Sequence, residues 1–552
     1  MNLRTRIHHK ASRELDLALV RLRHGRTLAP LSDGDGPVAL VVSLSEFIYQ
    51  LKLEAMLAKA FELKGYSPVF LIQPGSKTAP RFLRAFGMRR FVVLDDYVDA
   101  ALEARARDEA ARLLDAKPSL SDLAQLTVEG AAVGRFVVST VSRARHEGSV
   151  DLSHPEAQRL LRETLLVSVR STFAAQALLD DLRPELVLFN ERNYAAEAPL
   201  SDLALGRGLN VIQFVAASQN SSQVFKRYTA ETRRLHPRSL SDASWERVKA
   251  MPWTPAQDRQ VDAELARRYD GSQTLTWRNQ EWTRERTPTE IRAELGLDPA
   301  KRTAVVFAHV LWDANMFFGE DLFDDQEQWF VETVRAVCAN DRVNWVVKLH
   351  PANVWKRKRD GVEGELGDLR AIREHIGELP DHVRVMRHDS PIATRSLFDV
   401  TDVGVTIRGS VGWELPCFGV PALTAGTGFY SGRGFTVDSG TREEYLGRLR
   451  RIEEVPPLDA REVELARRHA YALLLLRPLA FTSFWTKVRP LEGLGHPLDH
   501  NLELRVGSRA ELLRAPDLRR LGEWAADSRD LDYLALPDRA APADVPAAAG
   551  VS

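Results

Sequence analysis

Short apolar segments alternate with longer amphipathic segments along much of this chain. In the first half, five apolar runs are typical of buried strands and span residues 38–42, 69–72, 91–94, 185–189 and 210–214. Helical periodicity covers residues 46–64, about 97–115, 119–147 and 154–181. Because the runs are apolar on both faces, they predict a parallel sheet that helices cover on both sides.

The same alternation begins again after residue 300. Five more strands are predicted at residues 303–307, 343–349, 382–386, 402–406 and 420–423. The residues between the two halves are rich in Arg, Thr, Trp and Pro and indicate an irregular or helical connection. We therefore predict an α/β protein with two doubly wound, Rossmann-type domains that face a cleft.

Six segments follow from these patterns. They are an N-terminal basic helix (1–35), a Rossmann-like acceptor domain with a helical insertion (36–228), a connection (229–300), a Rossmann-like nucleotide-sugar domain (301–440), a C-terminal helical extension (441–536) and a disordered tail (537–552). The N-terminal helix either docks on the body of the protein or makes a peripheral contact with a membrane. The helical insertion serves either as an acceptor platform or as a dimer surface.

Composition narrows the function classes. Among 552 residues, 75 Lys and Arg nearly balance 76 Asp and Glu, which argues against a nucleic-acid coat. Two cysteines exclude a disulfide scaffold and a Cys-rich metal site. No apolar run reaches the ~18 residues that cross a bilayer. The N-terminus lacks the apolar core of a secretory signal, so we expect a cytoplasmic protein.

The first candidate site follows the strand at residues 343–349. Pro351 ends this strand and holds His350 at its carboxyl end, where an imidazole could donate to a phosphate or carboxylate. Lys348 lies on the same face as His350 and adds positive charge, and Asn353 follows closely. The alternative is an ordinary half-buried histidine beside a lysine at the sheet edge.

The second candidate site follows the strand at residues 402–406. Arg408 and Gly409 lead into Ser410, which is predicted to cap a helix whose free N–H groups suit a phosphate. Glu414 lies one turn into that helix, where it could accept from ribose hydroxyls. The alternative is a plain helix cap, with Glu414 favouring the helix dipole.

Three further strand ends carry polar residues. A glycine-rich loop after residues 420–423 presents Phe429, Tyr430, Arg433 and Thr436, and its alternative is a flexible surface loop. His309, Asp313 and Asn315 follow the strand at 303–307, and Glu191 follows the strand at 185–189. Ordinary loop polarity is the alternative for these four residues. All five sites lie at carboxyl ends of strands, where doubly wound sheets bind ligands.

The order Lys-x-His-Pro (348–351), Ser-x-x-Trp-Glu-x-x-x-x-Gly-x-Pro (410–421) and Gly-x-x-Phe-Tyr-x-x-x-Gly-x-Thr (426–436) resembles the bacterial capsule polysaccharide biosynthesis family. That family includes Kdo transferases with the two-lobed GT-B glycosyltransferase fold. The His-Pro and Ser elements also resemble those of bacterial sialyltransferases and, more distantly, of teichoic-acid glycerophosphotransferases. The resemblance covers residues 300–440 well and the first half only in general architecture.

The resemblance implies a metal-independent GT-B glycosyltransferase that needs no cofactor and uses a nucleotide sugar as substrate, with a CMP-Kdo-like donor favoured. His350 and Ser410 would hold the donor phosphate, Glu414 would face the nucleotide, and the 429–436 loop would close near the donor. A first-lobe carboxylate would activate a polysaccharide or lipid-linked glycan acceptor, and Glu191 is our candidate. The paired acidic motif of sialyltransferases is missing from the first half.

Two other functions stay open. One is a glycerophosphotransferase that uses a CDP-glycerol-type donor at the same phosphate site. The other is a non-catalytic protein that binds nucleotide sugars or serves as a scaffold in a polysaccharide assembly complex.

Overall fold

A computed structural model describes residues 3–32, 34–115, 119–270, 282–313, 316–490 and 498–536. Asn315 and the predicted tail at 537–552 lie outside the described residues. Two large sheets dominate the fold, one in each lobe, and all ten predicted strands are confirmed.

The first lobe holds six strands in chain order and most of the early helices. Its strands are β1 (Val38–Ser43), β2 (Ser67–Ile72), β3 (Arg90–Val93), β4 (Leu186–Phe189), β5 (Asn210–Ala216) and β6 (Ser222–Tyr228). Its helices are α1 (Leu3–His24), α2 (Ile48–Glu62), α3 (Ala79–Ala85), α4 (Ala100–Asp115), α5 (Leu120–Gln125), α6 (Val133–Arg145), α7 (Pro155–Leu182) and α8 (Ala198–Gly206).

A connection of three helices joins the lobes: α9 (Asp242–Ala250), α10 (Pro255–Asp270) and α11 (Pro288–Leu295). The second lobe contains β7 (Thr303–Phe307), β8 (Asn344–Lys348), β9 (Val383–Met386), β10 (Val403–Thr406), β11 (Ala422–Thr424) and β12 (Val437–Asp438). Its helices are α12 (Gln326–Cys338), α13 (Ala352–Asp360), α14 (Gly367–His375), α15 (Thr394–Phe398), α16 (Val411–Glu414) and α17 (Arg442–Leu449).

Both sheets have the strand order of a Rossmann fold. Starting from the third strand, the first-lobe sheet runs β3-β2-β1-β4-β5-β6, and the second-lobe sheet runs β9-β8-β7-β10-β11-β12. The second sheet is parallel throughout, whereas β6 is antiparallel to β5. In each sheet the order reverses at the centre, between β1 and β4 and between β7 and β10. Ligands bind at the carboxyl ends of strands beside such a reversal.

The C-terminal extension returns to the first lobe. The sequence predicts a helical extension, but the structure also has three strands there. The extension contains α18 (Ala460–Tyr471), β13 (Pro478–Ala480), β14 (Phe484–Pro490), β15 (Leu498–Leu504), α19 (Arg509–Arg514) and α20 (Pro516–Asp527). β13 pairs with β6 and thereby extends the first-lobe sheet, while β14 and β15 pair with each other. From Phe484 to Lys487 the side chains alternate between buried and exposed, as in a half-buried strand.

A buried charge cluster fastens this extension to the first lobe. Asp532 accepts from Lys226 of β6 at 2.8 Å and pairs with Arg477 at 2.5 Å, and none of the three side chains is exposed. Although burial alone would raise the pKa of Asp532, Arg477 and Lys226 hold that pKa far below its usual value. The extension therefore belongs to the first lobe's core.

The helical insertion differs from its prediction at one point. The helix predicted at 119–147 is broken into α5 and α6, because the chain turns at Glu129 and Gly130, whose φ angles are 50° and 88°. The positive φ of Gly130 is an ordinary use of glycine in a turn. This break orients α6 separately from α5, and the C-terminal end of α6 contacts the second lobe.

The predicted N-terminal helix is confirmed as α1, which docks on the first lobe. Leu17 and Val20 are buried there, and Asp16 pairs with Lys52 at 2.6 Å. Leu15 and Leu22 lie outside, at 61% and 83% exposure. Within the described part of the chain, no helix is both long and apolar enough to span a bilayer.

Candidate active site

The strand-order reversal of the second lobe brings two predicted site residues to one crevice. β7 and β10 are neighbours in the sheet. His309 follows the end of β7, and Ser410 follows the end of β10. Because the connections after these strands leave in opposite directions, a crevice opens between them at the carboxyl edge. His350, after the adjacent strand β8, lies beside it, with its ring centroid 6.5 Å from that of His309.

The two histidines present different nitrogens, as their hydrogen-bond partners indicate. Nδ1 of His350 accepts from the N–H of Ala352 at 3.2 Å, so its proton lies on Nε2, which is a donor. Nδ1 of His309 lies 3.1 Å from the Val310 carbonyl, which can only accept, so Nε2 of His309 is an acceptor. Burial lowers the pKa of His309 and favours its neutral form. His350 can therefore donate to a phosphate oxygen while His309 accepts from a hydroxyl.

The turn at Gly409 and Ser410 is braced from beneath by Tyr430. The Tyr430 hydroxyl donates to the Gly409 carbonyl at 2.8 Å, and the Gly409 N–H donates to Oγ1 of Thr406 at 3.1 Å. A Cβ at Gly412 would lie 2.1 Å from the Tyr430 ring, so only glycine allows this close approach. Tyr430 is fully buried, so the structure gives it a supporting position under the turn.

Ser410 stands at the start of α16, as predicted, but its side chain makes no capping bond. Its backbone is already helical, with φ −61° and ψ −21°, and α16 has only four residues. A capping side chain needs an extended backbone at this position. The side chain is half-buried beside the crevice, so its placement remains compatible with the predicted phosphate contact.

Glu414 is turned away from the crevice and towards the connection between the lobes. Oε1 accepts from Nε and Nη2 of Arg268 at 2.9 and 2.6 Å, and Oε2 accepts from the Tyr269 hydroxyl. The carboxylate is 1% exposed. Both partners lie at the end of α10, so Glu414 ties the donor-side turn to the connection.

The glycine-rich loop is also anchored to the connection. Arg433 donates to Oδ1 of Asp242 at 2.8 Å and to the Leu240 carbonyl at 2.7 Å. Thr436 donates to Oδ1 of Asp438 at 2.9 Å. These contacts fix the loop from its far side.

Phe429 is the member of this loop that remains half-buried near the lobe boundary. Its ring stacks on His236 with centroids 5.0 Å apart. Burial lowers the pKa of His236 well below its usual value. Phe429 therefore packs on a neutral histidine of the connection and stays half-buried.

The residues around His350 mostly support the start of α13. Pro351 stands at its N-cap, and Asn353 donates to Oδ2 of Asp368 at 3.0 Å. Asp368 in turn lies 2.9 Å from Nε2 of His388. Lys348 is buried, with 9% exposure. Asn353 thus faces the interior of the lobe, and the sequence did not reveal the buried pair that it contacts.

Asp313 forms an ion pair at the cleft. Lys356 Nζ lies 2.6 Å from Oδ2 of Asp313 and 4.9 Å from the centroid of the Trp312 ring. Burial alone would raise the pKa of Asp313, but Lys356 holds it below its usual value. Trp312 also packs against His146, with ring centroids 4.2 Å apart and the rings tilted by 39°. His146 follows α6, so the helical insertion contacts the second lobe here.

Arg408 holds the segment that precedes α12. It donates to the Phe318 carbonyl and pairs with Asp321. Burial lowers the pKa of Arg408 to about 10. These contacts order the neighbouring loop. The positive charge of Arg408 also lies near His309 and lowers the pKa of His309, in addition to the effect of burial.

The predicted base, Glu191, lies on the first-lobe side of the cleft. Its side chain is 56% exposed and lies 3.9 Å from Arg143 of α6. Arg143 covers the Tyr194 ring at 4.5 Å and is close enough to Asp313 for each charge to shift the pKa of the other. Residues after β4 and residues after β7 therefore meet across the cleft.

Glu197 is a candidate that the sequence reasoning missed. Burial, with the nearby charge of Glu191, raises its pKa from 4.5 to about 8, while the backbone N–H groups of Glu197 and Tyr194 oppose that rise. It follows the same strand as Glu191 and immediately precedes α8. A carboxylate with a pKa near neutrality in a cleft is a typical general base. No local sequence pattern marks this residue, because its raised pKa comes from burial and from the charge of Glu191 in the folded chain.

No metal cluster is evident in the described segments, where no group of three His, Cys, Asp or Glu side chains is arranged to hold an ion.

Structure comparisons found neighbours of several activities. KpsC of Thermosulfurimonas dismutans, a β-Kdo 2,4 transferase, is 14% identical, with a TM-score of 0.32 over 60% of this chain and 87% of its own. The UDP-GlcNAc 2-epimerase of Neisseria meningitidis bound to UDP-GlcNAc is 10% identical, with a TM-score of 0.26 over 79% and 95%. The spinosyn rhamnosyltransferase SpnG is 12% identical, with a TM-score of 0.25 over 78% and 95%.

A scan against protein-family models and a search of curated proteins each found no match. At these TM-scores, no activity or substrate carries over from the structural neighbours to this chain. The fold class rests on the two Rossmann-type sheets themselves. The two lobes are in contact where His146, after α6, packs against Trp312.

Proposed function

We propose that this chain is a GT-B-type glycosyltransferase that moves a sugar from a nucleotide-activated donor to an acceptor hydroxyl. The observation that carries the proposal is the crevice between β7 and β10. His309 and the Gly409–Ser410 turn follow these two neighbouring strands, His350 lies beside His309, and the first lobe carries ionisable carboxylates after β4. A donor phosphate at the crevice and an acceptor hydroxyl at the opposite wall would complete a transferase site.

On the donor side, the leaving nucleotide phosphate develops negative charge as the glycosidic bond breaks. The Nε2–H of His350 and the turn at Ser410 would stabilise that charge by hydrogen bonding. These donors are held before the reaction, because Ala352 fixes the His350 ring and Tyr430 braces the turn. No reorganisation would then be needed when the bond breaks.

On the acceptor side, a carboxylate would take the proton of the attacking hydroxyl. Glu197 suits this role better than Glu191, since its pKa lies near neutrality while Glu191 is largely exposed. Glu191 would then act through its charge, which keeps the pKa of Glu197 high. Both residues follow β4, so the first lobe would supply the acceptor chemistry.

The finer identity of the substrates rests on the resemblance of residues 348–351, 410–421 and 426–436 to the capsule polysaccharide family. It favours a CMP-Kdo-like donor and a bacterial surface polysaccharide or glycolipid acceptor, and a metal-independent reaction in the cytoplasm. The anchored positions of Glu414 and Arg433 mean that these two residues would shape the donor site indirectly.

The test is a donor screen that measures nucleotide release from CMP-, CDP-, UDP- and GDP-linked donors. We expect release from a sugar donor, and a loss of about 10²-fold or more in His350→Ala, because removing a positioned hydrogen-bond donor to a developing oxyanion typically costs that much. Ser410→Ala should weaken donor affinity. His375→Ala, an exposed histidine on α14, is the matched control and should be unaffected.

The other outcomes separate the competing functions. Release of CMP only from CDP-glycerol would instead identify a glycerophosphotransferase. Tight nucleotide binding without release from any donor would identify a binding or scaffold protein. Unchanged donor affinity and turnover in both His350→Ala and Ser410→Ala would refute the phosphate site.

We also propose that α1 makes a peripheral membrane contact. Leu15 and Leu22 are exposed on the outer face of α1, among Arg13, Arg21 and Arg23. Because Leu17 and Val20 are part of the core, point variants test this better than a deletion. Leu15→Ser combined with Leu22→Ser should reduce binding to anionic liposomes, and unaltered binding would exclude the contact.

A further inference from the structure

Three arginines line a cavity that neither the crevice nor the candidate base uses. The cavity has a volume of about 130 Å³, and Arg135, Arg233 and Arg234 surround it together with Asp202, Phe136 and Phe317. That volume is large enough to hold several water molecules or a small anionic group. It suits a phosphate or carboxylate group better than a whole sugar.

The charges in this cavity are unbalanced. Arg135 is half-buried, and burial together with the charge of Arg234 lowers its pKa. Glu320 pairs with Arg234 at 2.5 Å, and Asp202 accepts from the N–H of Ala132 at 2.9 Å. Burial raises the pKa of Asp202, while the charges of Arg233 and Arg135 act to lower it, so Asp202 and Glu320 together offset only part of the charge of the three guanidinium groups. An anion in the cavity would relieve the repulsion among the arginines.

The hydrogen-bonding state of the arginines points the same way. Nε of Arg234 is buried and has no hydrogen-bond partner among the described residues. A buried guanidinium nitrogen without a partner carries a desolvation cost that a bound anion would remove. Among the described residues, Arg135 donates one side-chain hydrogen bond, from Nη1 to the Met316 carbonyl at 3.2 Å.

The cavity lies on the acceptor side of the cleft. Arg192, which follows β4, donates to the Arg233 carbonyl, so the 233–234 segment rests against the carboxyl end of the first-lobe sheet. Phe317 closes the cavity from the second lobe, since it packs on Phe136 with centroids 6.0 Å apart. Both lobes therefore form its walls.

Helix α6 connects this cavity with the candidate base. Arg135 stands near its first turn, and Arg143, beside Glu191, stands near its last. Eight residues separate them, which is about 12 Å along the helix at 1.5 Å per residue. An anionic group in the cavity would therefore belong to a part of the acceptor away from the reacting hydroxyl.

We propose that the Arg135–Arg233–Arg234 cavity is an anion subsite that selects acceptors carrying a phosphate or a carboxylate. This inference deepens the proposed transferase function. The identification of the bound molecule as an acceptor rests on that function, whereas the binding of an anion does not. An acceptor glycan with a sugar acid or a phosphodiester has the chemistry that three guanidinium groups recognise.

The test measures binding of two probes, inorganic phosphate and glucuronate, by isothermal titration calorimetry at low ionic strength. We expect one or both to bind the wild-type chain, and Arg233→Gln and Arg234→Gln each to weaken binding at least tenfold. Arg162→Gln, an exposed arginine of α7 in the same lobe, is the control and should bind normally. Arg234→Lys should retain part of the affinity, which keeps the test valid if a glutamine variant folds poorly.

The variant His350→Ala distinguishes this subsite from the donor site. Probe binding that survives His350→Ala but falls in the arginine variants places the anion in the cavity, even if the donor screen finds no nucleotide release. Loss in His350→Ala, equal binding in the arginine and control variants, or no binding of either probe would overturn the subsite. Preference for phosphate or for glucuronate would identify the acceptor group.

Discussion

The raised pKa of Glu197 makes a prediction about the pH dependence of the reaction. Burial and the nearby charge of Glu191 place this pKa at about 8, against an ordinary value of 4.5. A base must be ionised to accept a proton, so kcat/KM should rise as the pH increases towards 8 and level off above it. At pH 7 about a tenth of the carboxyl groups would be ionised, and the rise from pH 6 to pH 8 would be about 50-fold.

Two variants distinguish catalysis from a structural role. Glu197→Gln should lower kcat/KM by roughly 10²- to 10⁴-fold and remove the ascending limb, because glutamine cannot take up the proton. Glu191→Gln removes a neighbouring negative charge, so it should move the limb to lower pH by about half a unit to one unit, since an exposed charge is well screened. A loss of stability alone would change the rate without changing the pH profile.

The assay is nucleotide release at limiting acceptor, where the rate is proportional to kcat/KM, across the pH range, with far-UV circular dichroism to confirm folding. The limb should not coincide with an ordinary histidine, whose pKa is about 6.5, because burial lowers the pKa of His309 instead. An ascending limb near pH 8 that persists in Glu197→Gln would refute the assignment. A limb at the same pH in Glu191→Gln would refute the coupling between the two carboxylates.

Three further perturbations test how the fold supports the site. Asp532→Asn should cost about 3–5 kcal/mol in urea unfolding, since it leaves the lysine and arginine of its cluster buried without a counterion. Gly412→Ala should lower the free energy of unfolding by about 1–3 kcal/mol and weaken nucleotide binding, because its Cβ would lie 2.1 Å from the Tyr430 ring. Tyr430→Phe keeps that ring and loses only the hydroxyl's hydrogen bond, so it should cost only about 1 kcal/mol. Burial raises the pKa of Glu54 to about 7, so the native state holds this proton more tightly than the unfolded chain does. The free energy of unfolding should therefore fall by up to about 3 kcal/mol as the pH rises from 4.5 to 7. In urea melts, Glu54→Gln should flatten that dependence on pH.

The alternation of apolar and amphipathic segments was sufficient to predict the two parallel sheets. Eight of the ten predicted strands are largely buried, so their composition carries the signal locally, whereas β3 and β9 at the sheet edges are only partly buried. β6 was missed because it contains Lys226 and Arg227, which read as surface residues. Their partners come from the C-terminal extension: Asp532 binds Lys226, and the Trp524 carbonyl accepts from Arg227 at 2.9 Å. A strand whose charges are satisfied by residues 300 positions away has no local signature.

The candidate site was predictable only where a local sequence pattern carries the signal. That His309, His350 and Ser410 would stand at strand ends followed from local pattern, but their meeting at one crevice depends on strand order, which no short segment encodes. The direction of Glu414 was equally hidden, because Arg268 lies 146 residues earlier in the chain. Glu197 was overlooked because its pKa arises from burial and from Glu191, which are properties of the folded chain.

The anchored residues explain how a site between two lobes can remain organised. Glu414 and Arg433 both bind the connection, at α10 and at the start of α9, while Arg408 orders the segment around Phe318. Glu414 and Arg433 therefore each fix one wall of the donor crevice to the chain that links the lobes. A change in the angle between the lobes would displace the Ser410 turn through Glu414 and the glycine-rich loop through Arg433. The donor site and the lobe arrangement are thus mechanically coupled, so donor binding and cleft closure should favour each other.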